Sequence, residues 1–263
     1  MKSKLVMFGV AIGVSIWWVS IKTGLASTRN TVTKELRQTY PLTDHGHLRV
    51  DNINGKIRII AWDRPEIEMV AVKRADTEAD LDDLEIEIHS TAEQFQIHTK
   101  NPRRKWSFRS NHSASVDYEL KVPVQAGLDN VQNVNGSIEI SGVQGKVHAS
   151  TVNGRLAADG LSADAELGSV NGGVQAAFDH LEDVRNASIK TVNGRVRLTL
   201  PEEGNAEVSA HTLNGSIHSG PDLPVKKKSP VGTDLHGTMG KGGAQIKAET
   251  VNGAIQIVRA ESK

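Results

Sequence analysis

The phrase Thr-Val-Asn-Gly and its variants return along this chain. They place Asn54-Gly55, Asn135-Gly136, Asn153-Gly154, Asn171-Gly172, Asn193-Gly194, Asn214-Gly215 and Asn252-Gly253 in closely similar contexts. An asparagine amide can orient a substrate or stabilise a developing oxyanion. A catalytic centre, however, gathers different residue types at one place, and here a single turn recurs instead. Asn-Gly between alternating apolar runs is a strong turn signal, and stacked asparagines can hydrogen-bond along a column. The expected role of the phrase is structural, at the turns of a repeat.

Other chemistries meet specific obstacles. Glycoside cleavage needs paired carboxylates. The residue after each Asn-Gly is Lys56, Ser137, Arg155, Gly173, Arg195, Ser216 or Ala254; two positions on stand Arg58, Glu139, Ala157, Gln175, Arg197, His218 and Gln256. One carboxylate among them makes no pair, and no catalytic residue is assigned. Five of the same positions, Lys56, Arg58, Arg155, Arg195 and Arg197, form a mildly basic stripe. It could touch anionic glycan or lipid headgroups through many weak contacts, although solvated strand charges account for it equally well. The glycine-rich stretch 236–244 lacks the first glycine of a phosphate loop, Leu235 standing there, and Gly242 replaces the hydroxyl residue after Lys241.

Ten histidines include the pairs His45/His47 and His211/His218, but spacing supplies no third ligand, so no metal and no cofactor are expected. The acidic stretch 76–85 lacks a calcium-loop pattern. "NPRRKWSFRSNHSAS" (101–115) mixes basic residues with Trp106 and Phe108, as base-stacking surfaces do. Aromatic residues facing a sheet interior, with the charges in water, explain it better, and no nucleic acid is expected as partner. Cysteine is absent, which excludes disulfides, thiolate sites and a cysteine nucleophile, and the formal charge is zero.

The elements that must position these residues begin with a separate segment. Lys2 and Lys4 precede an apolar run from Leu5 to Ile21, followed by small residues near Ala26. Residues 1–26 are thus expected to be a signal peptide cleaved after Ala26 or an N-terminal membrane anchor, and the protein to be exported to the periplasm, the cell surface or the outer side of a membrane. Residues 27–46 read as a polar spacer. Alternating apolar residues from Leu48 onward predict strands, irregular to about residue 125, with a short helical turn near 76–84 and regular repeats over 127–258.

From Asn135 the asparagines follow one another at 18, 18, 22, 21 and 38 residues, with Asn54 an outlier; the last gap predicts a degenerate unit beside an inserted loop. Nine of the ten aromatic residues precede position 120, so a thin interior of small aliphatic residues, including stacked Val and Thr, is expected beyond it. The side-chain parity around Asn193-Gly194 suits either a two-residue hairpin or a one-residue solenoid corner. Constant phase and the small core favour the solenoid. The fold class expected is all-β: a β-solenoid-like stack of short repeats with an irregular β N-terminal part.

The segments "LRVDNINGKIRIIAWDRPEIEM" (48–69), "YELKVP" (118–123), the TVNG units, "VRLTLPEEGNAEVSAHTLNGSI" (196–217) and "GKGGAQIKAETVNGAIQI" (240–257) occur in this order. Over residues 45–258 they resemble the bacterial putative-adhesin family of β-strand-repeat proteins, a domain of unknown function. The resemblance implies a right-handed or irregular β-solenoid-like fold in an envelope protein and carries over no catalytic residue. The expected function is non-catalytic: adhesin-like binding or scaffolding at the bacterial cell envelope, with envelope polysaccharide, anionic headgroups or a membrane protein as partner. An envelope-stress or regulatory partner of a membrane protein and a cryptic carbohydrate-active enzyme are the alternatives. Mass spectrometry of the exported protein is expected to find Ser27 as its first residue; Met1 instead would mark a tethered protein.

Overall fold

A computed structural model describes residues 31–100, 114–220 and 232–260. The N-terminal apolar run, the aromatic and basic residues 101–113 and the lysines at 226–228 lie outside the described residues. In chain order, β1 (Val32–Pro41) precedes β2 (His47–Asn54) and β3 (Ile57–Trp62), which meet at Asn54-Gly55. Then come β4 (Glu66–Ala75), α1 (Glu78–Asp83), β5 (Glu85–Ser90), β6 (Gln94–Lys100) and β7 (Ala114–Pro123). Four strand pairs follow, each bent at an Asn-Gly: β8 (Gly127–Asn135) with β9 (Ile138–Ser141), β10 (Val147–Asn153) with β11 (Leu156–Leu161), β12 (Ala165–Asn171) with β13 (Val174–Phe178), and β14 (Asn186–Asn193) with β15 (Val196–Leu200). The chain closes with β16 (Ala206–Asn214), β17 (Ile217–His218), β18 (Thr233–Met239), β19 (Ala244–Asn252) and β20 (Ile255–Arg259).

These strands build two facing ten-stranded sheets. Sheet A runs β18-β16-β19-β14-β12-β10-β8-β2-β6-β5, and sheet B runs β1-β4-β7-β3-β9-β11-β13-β15-β20-β17. Each repeat lays one strand in sheet A, turns at Asn-Gly and lays the next in sheet B, so every repeat is one rung. Neighbouring rungs pair in parallel with the asparagines in register, Asn153 opposite Asn135 on one side and Asn171 on the other. A hairpin would have made the two strands flanking each Asn-Gly antiparallel partners. The solenoid corner is what forms.

Close approach explains the corner. Each glycine N–H donates to the asparagine carbonyl of the next rung, as Gly154 does to Asn171 at 3.1 Å and Gly172 to Asn193 at 3.0 Å. A Cβ on Gly172 would stand 1.9 Å from the Gly154 carbonyl oxygen, and one on Gly194 2.1 Å from that of Gly172. Neither has a left-handed φ, so glycine is required there because the rungs pass so near one another.

The asparagine side chains form a ladder of six amide-to-amide bonds. Each Nδ2 donates to the Oδ1 of the rung before it: Asn135 to Asn54 (2.8 Å), Asn153 to Asn135 (2.9 Å), Asn171 to Asn153 (2.9 Å), Asn193 to Asn171 (3.0 Å), Asn252 to Asn193 (2.8 Å) and Asn214 to Asn252 (2.9 Å). Asn54 ends the column by donating to the Ala114 carbonyl at 3.1 Å.

Inside, the core is a thin double layer. Val131, Ala149, Leu167 and Ile189 face it from sheet A, and Ile138, Leu156, Val174 and Val196 from sheet B, all buried. At its N-terminal end the interior widens around Tyr40, Phe95 and Tyr118. The Tyr118 hydroxyl shares a 2.7 Å hydrogen bond with Thr99, and burial pushes its phenol well above the usual range. Strands β1, β4 and β7, with β4 antiparallel to both its neighbours, close this end in sheet B, and the antiparallel pair β5 and β6 closes it in sheet A. The helical turn expected near 76–84 is α1, capped by Thr77, whose Oγ1 accepts from the Asp80 N–H at 3.1 Å.

Three expectations on the repeat layout and chain organisation need correction. The polar spacer of 27–46 is partly the edge strand β1, which buries Leu36, Gln38 and Tyr40 at alternate positions; a buried polar residue in the middle hid the period. Asn54 is no outlier, because β2 and β3 form a full rung with Asn54 in register with Asn135, so regular structure begins well before residue 125. Among its described residues the 38-residue gap holds no degenerate rung. The rung of β19 and β20 inserts between those of β14/β15 and β16/β17, and β18 caps β16 in antiparallel fashion. Identical corners make this interleaving possible, since any rung can stack on any other.

Replacing Asn171 by Ala removes two ladder bonds and is expected to lower stability by about 1–2 kcal/mol in urea unfolding. Gly172→Ala forces neighbouring backbones apart and is expected to cost at least about 3 kcal/mol. The opposite ranking would show that the amides, and not the close approach, hold the corner.

Candidate functional site

Strand alternation at each corner decides which part of the phrase faces water. The Thr position points inward and is buried at Thr151, Ser169, Thr191, Thr250 and Thr212, with Asn52 and Asn133 at the equivalent place. Its side chain donates to a carbonyl on the adjacent rung: Thr151 to Gly136 (3.0 Å), Ser169 to Gly154 (3.1 Å), Thr191 to Gly172 (2.8 Å), Thr250 to Gly194 (3.1 Å) and Thr212 to Gly253 (3.0 Å). These bonds satisfy polar groups that the tight corner buries.

The next residue must therefore point out. Val134, Val152, Val170, Val192, Val251 and Leu213 are each close to 40% exposed. The expectation that valine and threonine together fill the interior holds for the threonine of the phrase but not for its valine; the buried valines are others, such as Val131, Val174 and Val196. Stacked on successive rungs, and continued by Ile53, these side chains make an apolar ribbon across the outer face of sheet A. At about 4.8 Å per rung its six steps span about 29 Å. Lone exposed apolar residues are ordinary, whereas here they stand in one contiguous column.

Beside the ribbon, two residues earlier on each strand, runs a second outward column: Asp51, Gln132, Ser150, Gly168, Lys190, Glu249 and His211. Between the two lies a groove of about 1460 Å³, continued at its N-terminal end by His98 and Lys100. Its charges cluster at the ends. At one, His98 Nδ1 lies 3.6 Å from Asp51, and Lys100 pairs with Glu87 at 2.6 Å. At the other, Lys247 and Lys190 both reach Glu249, at 2.7 and 3.4 Å, while His211 meets Asp234 at 2.5 Å. Burial pushes the Glu249 carboxyl up, but the two ammonium groups outweigh it and hold it below the usual range. Across the middle three rungs, Gln132, Ser150 and Gly168 leave the groove uncharged and shallow-walled. A Cβ on Gly168 would meet only the Ser150 Cβ, at 3.8 Å.

The residues singled out from sequence are placed differently. The seven Asn-Gly pairs are wholly engaged in the corner, and none of the asparagines lines the groove. Lys56, Arg58, Arg155, Arg195 and Arg197 lie on the other outer face, that of sheet B. There Lys56 pairs with Glu139 at 2.7 Å, Arg58 with Glu119 at 3.6 Å, Arg155 bonds Gln175, and Arg197 lies 3.4 Å from Gln256. His47 sits 2.8 Å from Asp129, and among the described residues no group of three His, Asp or Glu side chains converges to hold a metal. Among those residues no helix is long and apolar enough to cross a membrane. The groove was the missed feature. Its sequence signal is the invariant apolar residue before each Asn-Gly, which alternation from the buried Thr places outside.

Comparison with known proteins agrees with this architecture. The model of the Toastrack DUF4097 family matches residues 77–258. A "putative cell adhesion protein" from Clostridium sporogenes ATCC 15579 shares the fold at a TM-score of 0.53 with 13% identity, over 86% of this chain and 100% of its own. A "putative adhesin" from Bacteroides fragilis NCTC 9343 aligns at a TM-score of 0.43 with 11% identity, over 90% of this chain and 100% of its own. No curated protein sequence matches the chain.

If the ribbon is surface and the threonine column is frame, their substitutions separate. Val170→Thr is expected to change stability by no more than about 0.5 kcal/mol, whereas Thr191→Val, which strips the Gly172 carbonyl of its donor, should cost about 1–2 kcal/mol. Chemical unfolding of both variants checks this.

Proposed function

Since the chain belongs to the Toastrack DUF4097 family, we propose that it is a non-catalytic, adhesin-like binding protein of the cell envelope whose ligand sits on the outer face of sheet A. One observation carries this reading: a groove of about 1460 Å³ bordered along its whole length by a ribbon of exposed apolar side chains. Such a surface costs solubility unless a partner covers it. The groups at the groove able to do acid–base work are engaged at its ends, Asp51 with His98, His211 with Asp234 and Glu249 with two lysines, which suits binding better than turnover. The fold neighbour from Clostridium sporogenes, named a "putative cell adhesion protein", supports an adhesive role, and the basic-then-apolar residues 2–21 support export.

The test is co-sedimentation of the full chain with an isolated cell-envelope fraction. Saturable association, reduced at least tenfold in Val152→Ser/Val170→Ser, is the expected result. Association indifferent to that pair would remove the groove from the function, and release of soluble saccharide from the envelope would replace binding by catalysis.

A further inference from the structure

The groove's chemistry narrows what can lie in it. Its floor is the middle of a parallel sheet, where the backbone groups of β10, β12 and β14 are spent on their neighbours. Over the three middle rungs only Gln132 and Ser150 turn hydrogen-bonding side chains outward, since Asn133, Thr151 and Ser169, which also line the groove, donate to corner carbonyls. A peptide or a glycan laid there would lose water from its polar groups and gain almost no partners. An aliphatic chain loses nothing. Width points the same way: the two walls stand two residues apart on each strand, about 7 Å, too narrow for a helix about 10 Å across. A second copy of the chain would need to cover about 800 Å² per partner, more than one column of half-exposed valines presents.

Charge and length complete the argument. The Asp51–His98 pair closes one end of the uncharged stretch, and Lys190 closes the other. There the ammonium groups of Lys190 and Lys247 flank the carboxylate of Glu249, while the Asp234 carboxylate, two strands further on, is turned to His211. Four rung steps separate the two ends, about 19 Å at the usual strand spacing. Extended hydrocarbon advances about 1.25 Å per carbon–carbon bond, so a chain of about sixteen carbons fills that distance.

Resting on the sheet A face as the binding face, we propose that this trough binds a free single-chain fatty acid of about sixteen carbons. The hydrocarbon lies along Val192, Val170, Val152, Val134 and Ile53, with its carboxylate against Lys190 and Lys247. The open space at Gly168 gives the chain its widest passage. The period of the ribbon sets no register on the ligand, because an alkyl chain has no side chains to align.

Equilibrium dialysis of the full chain with radiolabelled hexadecanoate, below its micellar concentration, tests this. One saturable site is expected, with affinity falling at least about 30-fold from hexadecanoate to octanoate, since each methylene adds hydrophobic contact. Gly168→Phe, which fills the trough without backbone strain, should abolish binding. Lys190→Gln/Lys247→Gln should weaken hexadecanoate about tenfold and leave hexadecanol unchanged, a readout that a merely unfolded variant would not give. Binding that survives Gly168→Phe, ignores chain length, or occurs only with phospholipid vesicles or peptides overturns the assignment. If hexadecanoate fails while Val152→Ser/Val170→Ser still lowers envelope association, the fatty acid falls and the binding face stands. If envelope association is absent as well, both fall.

Discussion

The carbonyl oxygen of one corner glycine occupies the space that a side chain on the next would need. That approach, 1.9 Å from the virtual Cβ of Gly172 to the Gly154 oxygen, is the constraint from which the rest of the solenoid follows. It sets rung upon rung at strand spacing, brings each glycine N–H onto the neighbouring asparagine carbonyl, and aligns the asparagine amides into one column. Hydrogen bonds in such a column point the same way and can strengthen one another. Because every corner is equivalent, chain order and stacking order need not agree, and the last rung sits inside the stack instead of at its end.

The same constraint produces an arrangement that inverts the usual placement of side chains. Threonine and serine hydroxyls go inward because the tight corner buries carbonyls that need donors. Strict alternation then sends valine outward, next to water, rung after rung. The polar column serves stability and the apolar column is left facing water. A residue type that ordinarily signals core is here the surface with the most to gain from a partner.

Several parts of this were legible in the residues. Repetition of Asn-Gly in constant phase, with no aromatic residue but Phe178 in the second half, points to stacked corners around a thin core, and the hydrogen-bonded asparagine column follows from that. The role of β1 was not, because Gln38 breaks the apolar period of Leu36 and Tyr40, and a buried polar residue looks like an exposed one until its partner is known. Nor was the groove. Its walls come from residues on seven rungs, and what distinguishes it is the coincidence of Gln132, Ser150 and Gly168 beside the ribbon with charge pairs at each end.

The sequence by itself determined the rung: its length, its corner phrase and the alternation that puts threonine on the face of the apolar residues are local, whereas the corner glycine is required only because the stacked rungs meet. Only the tertiary structure decided which rung lies beside which, that Asn54 belongs to the column, and that β19 stands between β14 and β16. Those choices are made by contacts between residues far apart in the chain, among corners chemically alike. A repeat that can stack on any copy of itself carries no local mark of its neighbour.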